Sequence, residues 1–225
     1  MVERAPTGIP GLDRLIGGGF PKGTVNLVTG KTGTAKSIFS SQFIFEGASE
    51  YGEGGLLINS EGTKQSLMRQ MGTFGWDFEA LEEDNLVKIL EVQPFEVKKI
   101  ISNITESIES MNVERIVIDS VSMFEVFLEK HYKIRRFLFT LFQRLRDLGI
   151  VTLITAEIPE DETSRLSRFG SVEFMADSVI KLQYMDLADV KRSLMIRKMV
   201  MTDHASEIYP FQIGREGIQV LDIEE

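Results

Sequence analysis

The run Gly30-Lys31-Thr32-Gly33-Thr34-Ala35-Lys36-Ser37 joins an apolar stretch, Val25–Thr29, to an apolar-periodic segment that starts at Ile38. A strand entering a glycine-containing loop, with a helix opening at Lys36, is the makings of a phosphate-binding loop. Loop amides and the positive end of the helix dipole converge on one point, so a phosphate chain fits there. In such a loop Lys36 reaches the β- and γ-phosphates and the Ser37 hydroxyl ligates Mg²⁺. The general pattern has glycine immediately before the lysine, where this chain has Ala35. A methyl group there narrows the allowed backbone dihedrals and crowds the β-phosphate.

Two acids fall where such a loop needs them. Asp119 ends the apolar run Arg115-Ile116-Val117-Ile118-Asp119. It is either a Walker B acid, holding Mg²⁺ through its water shell beside Ser37, or a carboxylate that caps a turn. Glu61 follows the apolar run Gly55–Ser60. It either orients and deprotonates a water for attack on the γ-phosphate, or sits at a helix N-terminus because the dipole favours it. In an open α/β sheet, ligands lie outside the carboxyl ends of the strands, which would gather Glu61, Asp119 and Gly30–Ser37 at one edge.

The elements that must position these residues read as β/α alternation. A helix from Lys36 to near Gly52 carries Ile38, Phe39, Phe43 and Ile44 on one face. Thr63 is an N-cap for a helix running through Met68 and Met71 to Phe74-Gly75. Strands are expected at 85–92 and 149–155, and an amphipathic helix at 95–111. A long helix over 131–148 has a core stripe of Ile134, Phe137, Leu138, Leu141, Phe142 and Leu145, with Lys133, Arg135, Arg136, Arg144 and Arg146 as a solvated face. Four shorter strands follow, at 178–182, 194–199, 208–213 and 218–221, without helices between them. This order predicts a mainly parallel sheet extended by antiparallel strands. Residues 7–23 read as loop and turn, with the triple glycine in close approach to the strand before the phosphate loop.

At 225 residues a single α/β domain spanning 1–225 is expected, and 43% hydrophobic with 26% charged residues suits a globular chain. A net charge of −9 disfavours a general nucleic-acid or anionic-membrane binder. With no cysteine and only His131 and His204, thiolate and histidine-rich metal sites are excluded. The chain shows neither a signal-peptide apolar region nor a bilayer-length apolar run, so a cytoplasmic location is expected.

The combination resembles a single-domain member of the KaiC-like branch of the RecA/RadA superfamily of P-loop ATPases. Thr7-Gly8-Ile9-Pro10-Gly11-Leu12-Asp13, with Gly18-Gly19-Phe20-Pro21-Lys22-Gly23, is similar to that family's N-terminal motif. Leu56–Glu61, Phe74-Gly75-Trp76-Asp77, Val117–Ser122, Arg168–Ile180 and Tyr209-Pro210-Phe211 also match its pattern. The loop ending in Ala-Lys-Ser is similar to that of the replicative MCM helicases.

The resemblance implies a three-layer RecA-like fold and a hexameric ring with ATP between subunits. It implies that residues 30–37 bind ATP, that Lys36 and Glu61 are catalytic, and that Ser37 and Asp119 bind Mg²⁺. Lys198 matches a lysine that contacts the γ-phosphate of the neighbouring subunit. Two departures stand out: Gly62 where the family often has a second glutamate, and Val200 where an arginine is expected. Missing transition-state charge implies slow hydrolysis. The resulting expectation is a nucleotide-dependent oligomeric switch with ATP and ADP as ligands. Its alternatives are a single-stranded-DNA-binding recombinase accessory and a non-hydrolysing scaffold. Segment 157–171 carries Arg165, Arg168 and Phe169, which suit DNA, and Glu157, Glu160, Asp161 and Glu162, which do not; a plain surface loop is the favoured reading.

Overall fold

The computed structural model describes residues 2–92, 97–128, 130–162, 164–168, 170–185 and 191–223; at 97–100 and 125–127 it describes the backbone only. The strands are β1 (Arg4–Ala5), β2 (Phe20–Pro21), β3 (Val25–Gly30), β4 (Gly54–Asn59), β5 (Val87–Glu91), β6 (Val113–Asp119), β7 (Val151–Glu157), β8 (Ser178–Tyr184), β9 (Arg192–Met199), β10 (Ile208–Gly214) and β11 (Gly217–Val220). The helices are α1 (Lys36–Tyr51), α2 (Lys64–Gly72), α3 (Phe78–Glu83), α4 (Val97–Ser110), α5 (Ser122–Phe127), α6 (His131–Asp147) and α7 (Val172–Met175).

Among the described residues nine strands form one sheet in the order β11-β10-β9-β8-β3-β7-β6-β4-β5. From β8 to β5 all neighbours are parallel, while β9, β10 and β11 add antiparallel strands at the other edge. The expected sheet is the observed one. Its central strands are apolar on both faces because both are covered. Val28, Leu57 and Val117 face a cluster built with α1, α2 and α3. Their alternates Leu27, Leu56, Ile58, Ile116 and Ile118 face a second cluster built with α6. Two helical layers therefore clamp β3, β4 and β6 and hold their carboxyl ends level.

The expected helix termini hold closely. The Thr63 hydroxyl accepts the Ser66 amide at 3.2 Å as the α2 cap, and Trp76 packs beyond that helix against Phe45, with ring centroids 5.7 Å apart. The core stripe of α6 is buried apart from the half-buried Phe137. Residues 95 and 96 of the expected 95–111 helix lie outside the described residues.

Two expectations are corrected. Arg146 does not belong to a solvated face: it pairs with Asp177 at 2.8 Å and donates to the Met175 carbonyl at 2.6 Å. The triple glycine closes on β1 and not on β3, for a Cβ at Gly19 would stand 2.2 Å from the Ala5 carbonyl oxygen. That approach lets β2 pair with β1. The short α3, α5 and α7 were not expected, since each spans too few residues to display a helical period.

Candidate nucleotide site

β3 runs between β7 and β8 and delivers Gly30 to the sheet's carboxyl edge. Glycine is required there by proximity: a Cβ would lie 2.4 Å from Thr34 Oγ1 and 2.6 Å from the Leu182 carbonyl oxygen. The loop then turns on itself. Thr34 Oγ1 donates to the Lys31 carbonyl at 2.8 Å, and Lys36 Nζ donates to the same carbonyl at 3.1 Å. The largely buried Lys36 ammonium is thus folded over the loop, where an anion would meet it.

From outside, Tyr184 Oη and Arg192 Nε donate to the Gly33 carbonyl at 2.9 and 3.2 Å. Ala35 is the N-cap of α1 with φ 80° and ψ 26°, a left-handed conformation that costs a residue with a Cβ about 1–2 kcal/mol. The glycine expected by pattern is the residue that would adopt it freely. The departure noted in the sequence is therefore a point of backbone strain in the fold.

Asp119 ends β6 with its side chain buried and turned toward α1. Thr155 on β7 donates to one carboxylate oxygen, and Ser40 on α1 donates to the other at 3.4 Å. The Ser37 hydroxyl lies close enough to this carboxylate to favour its charged form. Burial pushes the Asp119 carboxyl above the usual carboxylate range, and the nearby negative charge of Glu61 adds to the rise; the Thr155 and Ser37 hydroxyls and Lys36 oppose it. Asp119 is not a turn cap, because its side chain bonds hydroxyls from two other elements.

Glu61 stands just past β4, exposed, and near enough to Asp119 for the two charges to interact. The ends of β4 and β6 are tied together. Ser60 Oγ lies 3.1 Å from the Asp119 carbonyl and accepts the Ser120 amide at 2.8 Å. Asn59 braces the turn, accepting the Glu61 amide at 3.3 Å and donating to the Gly62 carbonyl at 3.0 Å.

The fold thus brings Gly30–Ser37, Asp119 and Glu61 to one edge. It does not bring Lys198 there. That residue sits on β9, paired with Val179, and its Nζ donates to the Ala176 carbonyl at 2.6 Å, near the opposite ends of the parallel strands. Phe169 lies outside the described residues. Sequence reasoning missed Ser40, Thr155, Tyr184 and Arg192. Ser40 follows Ser37 by one helical turn, and Thr155 is a hydroxyl near the end of a buried strand, so both carried a legible signal. The other two act through tertiary reach alone.

Ser37 and Asp119 offer a hydroxyl and a carboxylate, hard oxygen donors of the kind Mg²⁺ takes alongside waters and phosphate oxygens. Among the described residues no group of three or more His, Cys, Asp or Glu could hold a metal, so a cation here would depend on the phosphates. Among the described residues no helix is long and apolar enough to cross a membrane.

A family model described as "ATPase: KaiC" matches residues 5–225. The chain is 34% identical over 236 residues to circadian clock protein KaiC3 of Synechocystis, covering 99% of this chain and 46% of that one. It is 31% identical over 231 residues to the circadian clock oscillator protein KaiC of Prochlorococcus marinus, covering 98% and 46%. The chain therefore spans about half the length of these clock relatives. Against the UPF0273 protein MK0039 of Methanopyrus kandleri it is 33% identical, covering 97% of this chain and 92% of the relative. The crystal structure of the KaiC-like protein PH0186 from Pyrococcus horikoshii superimposes with a TM-score of 0.91 at 42% identity, covering 99% and 100% of the two chains.

Proposed function

This chain belongs to the KaiC family of ATPases, and on that premise we propose that it binds ATP with Mg²⁺ at residues 30–37, hydrolyses it slowly, and acts as a nucleotide-dependent oligomeric switch. The observation that carries the reading is the convergence of the loop, Lys36, Ser37, Asp119 and Glu61 from β3, α1, β4 and β6 at one sheet edge. The loop amides hold the phosphate chain, and the Lys36 ammonium, leaving the Lys31 carbonyl, neutralises its β- and γ-oxygens. Ser37 and Asp119 would hold Mg²⁺, which when bound draws off charge developing on the phosphate oxygens. Glu61 is exposed, as a group must be to meet a water, and takes the proton as the water oxygen bonds to the γ-phosphorus and the bridging oxygen leaves.

Two residues support slow turnover. Gly62 and Val200 stand where the resemblance leads one to expect a second acid and a cation, and each removes charge from the reaction centre. The surface around Lys198 supports assembly. Phe174 is 75% exposed and shares with Lys198 a cleft of about 440 Å³. A second copy docking there would bring its own nucleotide to Lys198 of the first. Arg165 is paired with Glu162 at 3.4 Å, which weighs against the DNA-binding alternative.

Titration with Mg-ATP tests the reading. Wild type binds, and Lys36→Ala loses at least about a hundredfold in affinity; equal affinity for the two proteins overturns the site. Light scattering with and without Mg-ATP tests the switch, with assembly expected only when nucleotide is present. Single-turnover hydrolysis that is equally near zero in wild type and Glu61→Gln favours the non-hydrolysing scaffold.

A further inference from the structure

The outer rim of the phosphate loop already holds a carboxylate. Glu160 accepts the Thr32 amide at 3.1 Å through Oε1, and its own carbonyl accepts Lys31 Nζ at 2.5 Å. Both partners belong to the eight-residue loop, and neither contact comes from a neighbour in sequence. The position of Glu160 is set by the sheet. Gly30 and Glu157 are register partners, the Ile158 amide donates to the Gly30 carbonyl at 3.1 Å, and Pro159 stiffens the next step. Two residues beyond the last ladder bond, the Glu160 side chain returns to the loop.

A carboxylate on a loop amide makes the same kind of charge-assisted hydrogen bond that a phosphate oxygen would make. The Glu160 main-chain carbonyl adds a second hold on the loop through Lys31, one of the loop's two cations. We propose that Glu160 is a built-in competitor for the nucleotide: in the nucleotide-free chain its carboxylate occupies the rim of the phosphate loop and is displaced when a triphosphate binds. This rests on the nucleotide-site reading above. The displacement has somewhere to go. Thr32, Glu157, Ile158, Pro159, Glu160 and Arg168 line a hollow of about 180 Å³ beside the loop, and among the described residues no ion pair holds Arg168. A carboxylate pushed off Thr32 by like charge meets the opposite charge across that hollow. Nucleotide occupancy then resets the segment after β7.

Mg-ATP titrations of wild type, Glu160→Gln and Glu160→Ala test this. With the competitor removed, Glu160→Ala binds about tenfold more tightly than wild type, the size of one charge-assisted hydrogen bond. The isosteric Glu160→Gln, which keeps a neutral acceptor, falls between them and guards against a folding defect in the alanine variant. Affinities in both variants equal to or weaker than wild type overturn the competitor. Absence of binding by all three proteins overturns the nucleotide site itself, and the competitor with it. Binding by the variants alone would support the competitor in its strongest form.

Discussion

The two ends of β6 each bury a charge, and they treat it in opposite ways. At the start, the fully buried Arg115 guanidinium pairs with Glu53 at 2.5 Å and donates to the Phe43 carbonyl at 2.9 Å. It also lies 4.6 Å from the centroid of the Phe43 ring. At the other end, Asp119 is surrounded by the hydroxyls of Ser37, Ser40 and Thr155, with a second acid, Glu61, nearby. The first charge is compensated inside the chain and serves the fold. The second is solvated by dipoles and raised in pKa, so its compensation is left to something that binds. Buried charge marks function where burial outweighs the fixed charge that answers it, as it outweighs Lys36 at Asp119.

The largest break of this contrast is Arg115→Ala. It leaves Glu53 unpaired beside a cavity and should destabilise the chain by about 3–5 kcal/mol, read as a lower urea midpoint. Nucleotide affinity of the folded fraction should not change; a large loss there would show that the two ends of β6 are not independent.

Asp119→Asn should do the reverse. Hydrolysis falls by roughly a hundredfold or more. The nucleotide-free protein gains about 1 kcal/mol at neutral pH, because a buried charge is removed. A loss of stability would contradict the account of Asp119 as uncompensated.

The same contrast has a pH signature. A carboxyl whose pKa is raised by folding stabilises the folded state fully below its unfolded pKa and loses that contribution as pH rises through the folded value. Nucleotide-free and metal-free wild type should therefore lose stability as pH climbs from the ordinary carboxylate range through the raised value of Asp119. Asp119→Asn should remove that part of the slope in urea-melt series.

The smallest effect is expected at Ala35. Its left-handed backbone is a second uncompensated strain at the site. Ala35→Gly should raise the urea midpoint by the equivalent of about 0.5–1 kcal/mol, since glycine adopts that conformation without a Cβ clash. A fall in the midpoint would mean the loop is not strained at that residue.

Much of this was legible in the chain. Apolar runs ending in Thr29, Ser60 and Asp119 forecast parallel strands whose tips share an edge, and the Thr63 cap and the α6 stripe held, with Phe137 half-buried. Arg146 was misread because its partner, Asp177, sits on another element, and the glycines before β2 were misplaced because their contact is with β1. Helical spacing cannot report either.

The order of residue types alone determined the strand-loop-helix around Lys36, the two acids and the layered sheet, because backbone periodicity and loop chemistry are local properties. Tertiary structure alone decided that Thr155 and Ser40 hold Asp119, that Glu160 reaches the Thr32 amide, and that Lys198 lies far from its own loop. Those pairings join positions distant in the chain, and packing sets their distances.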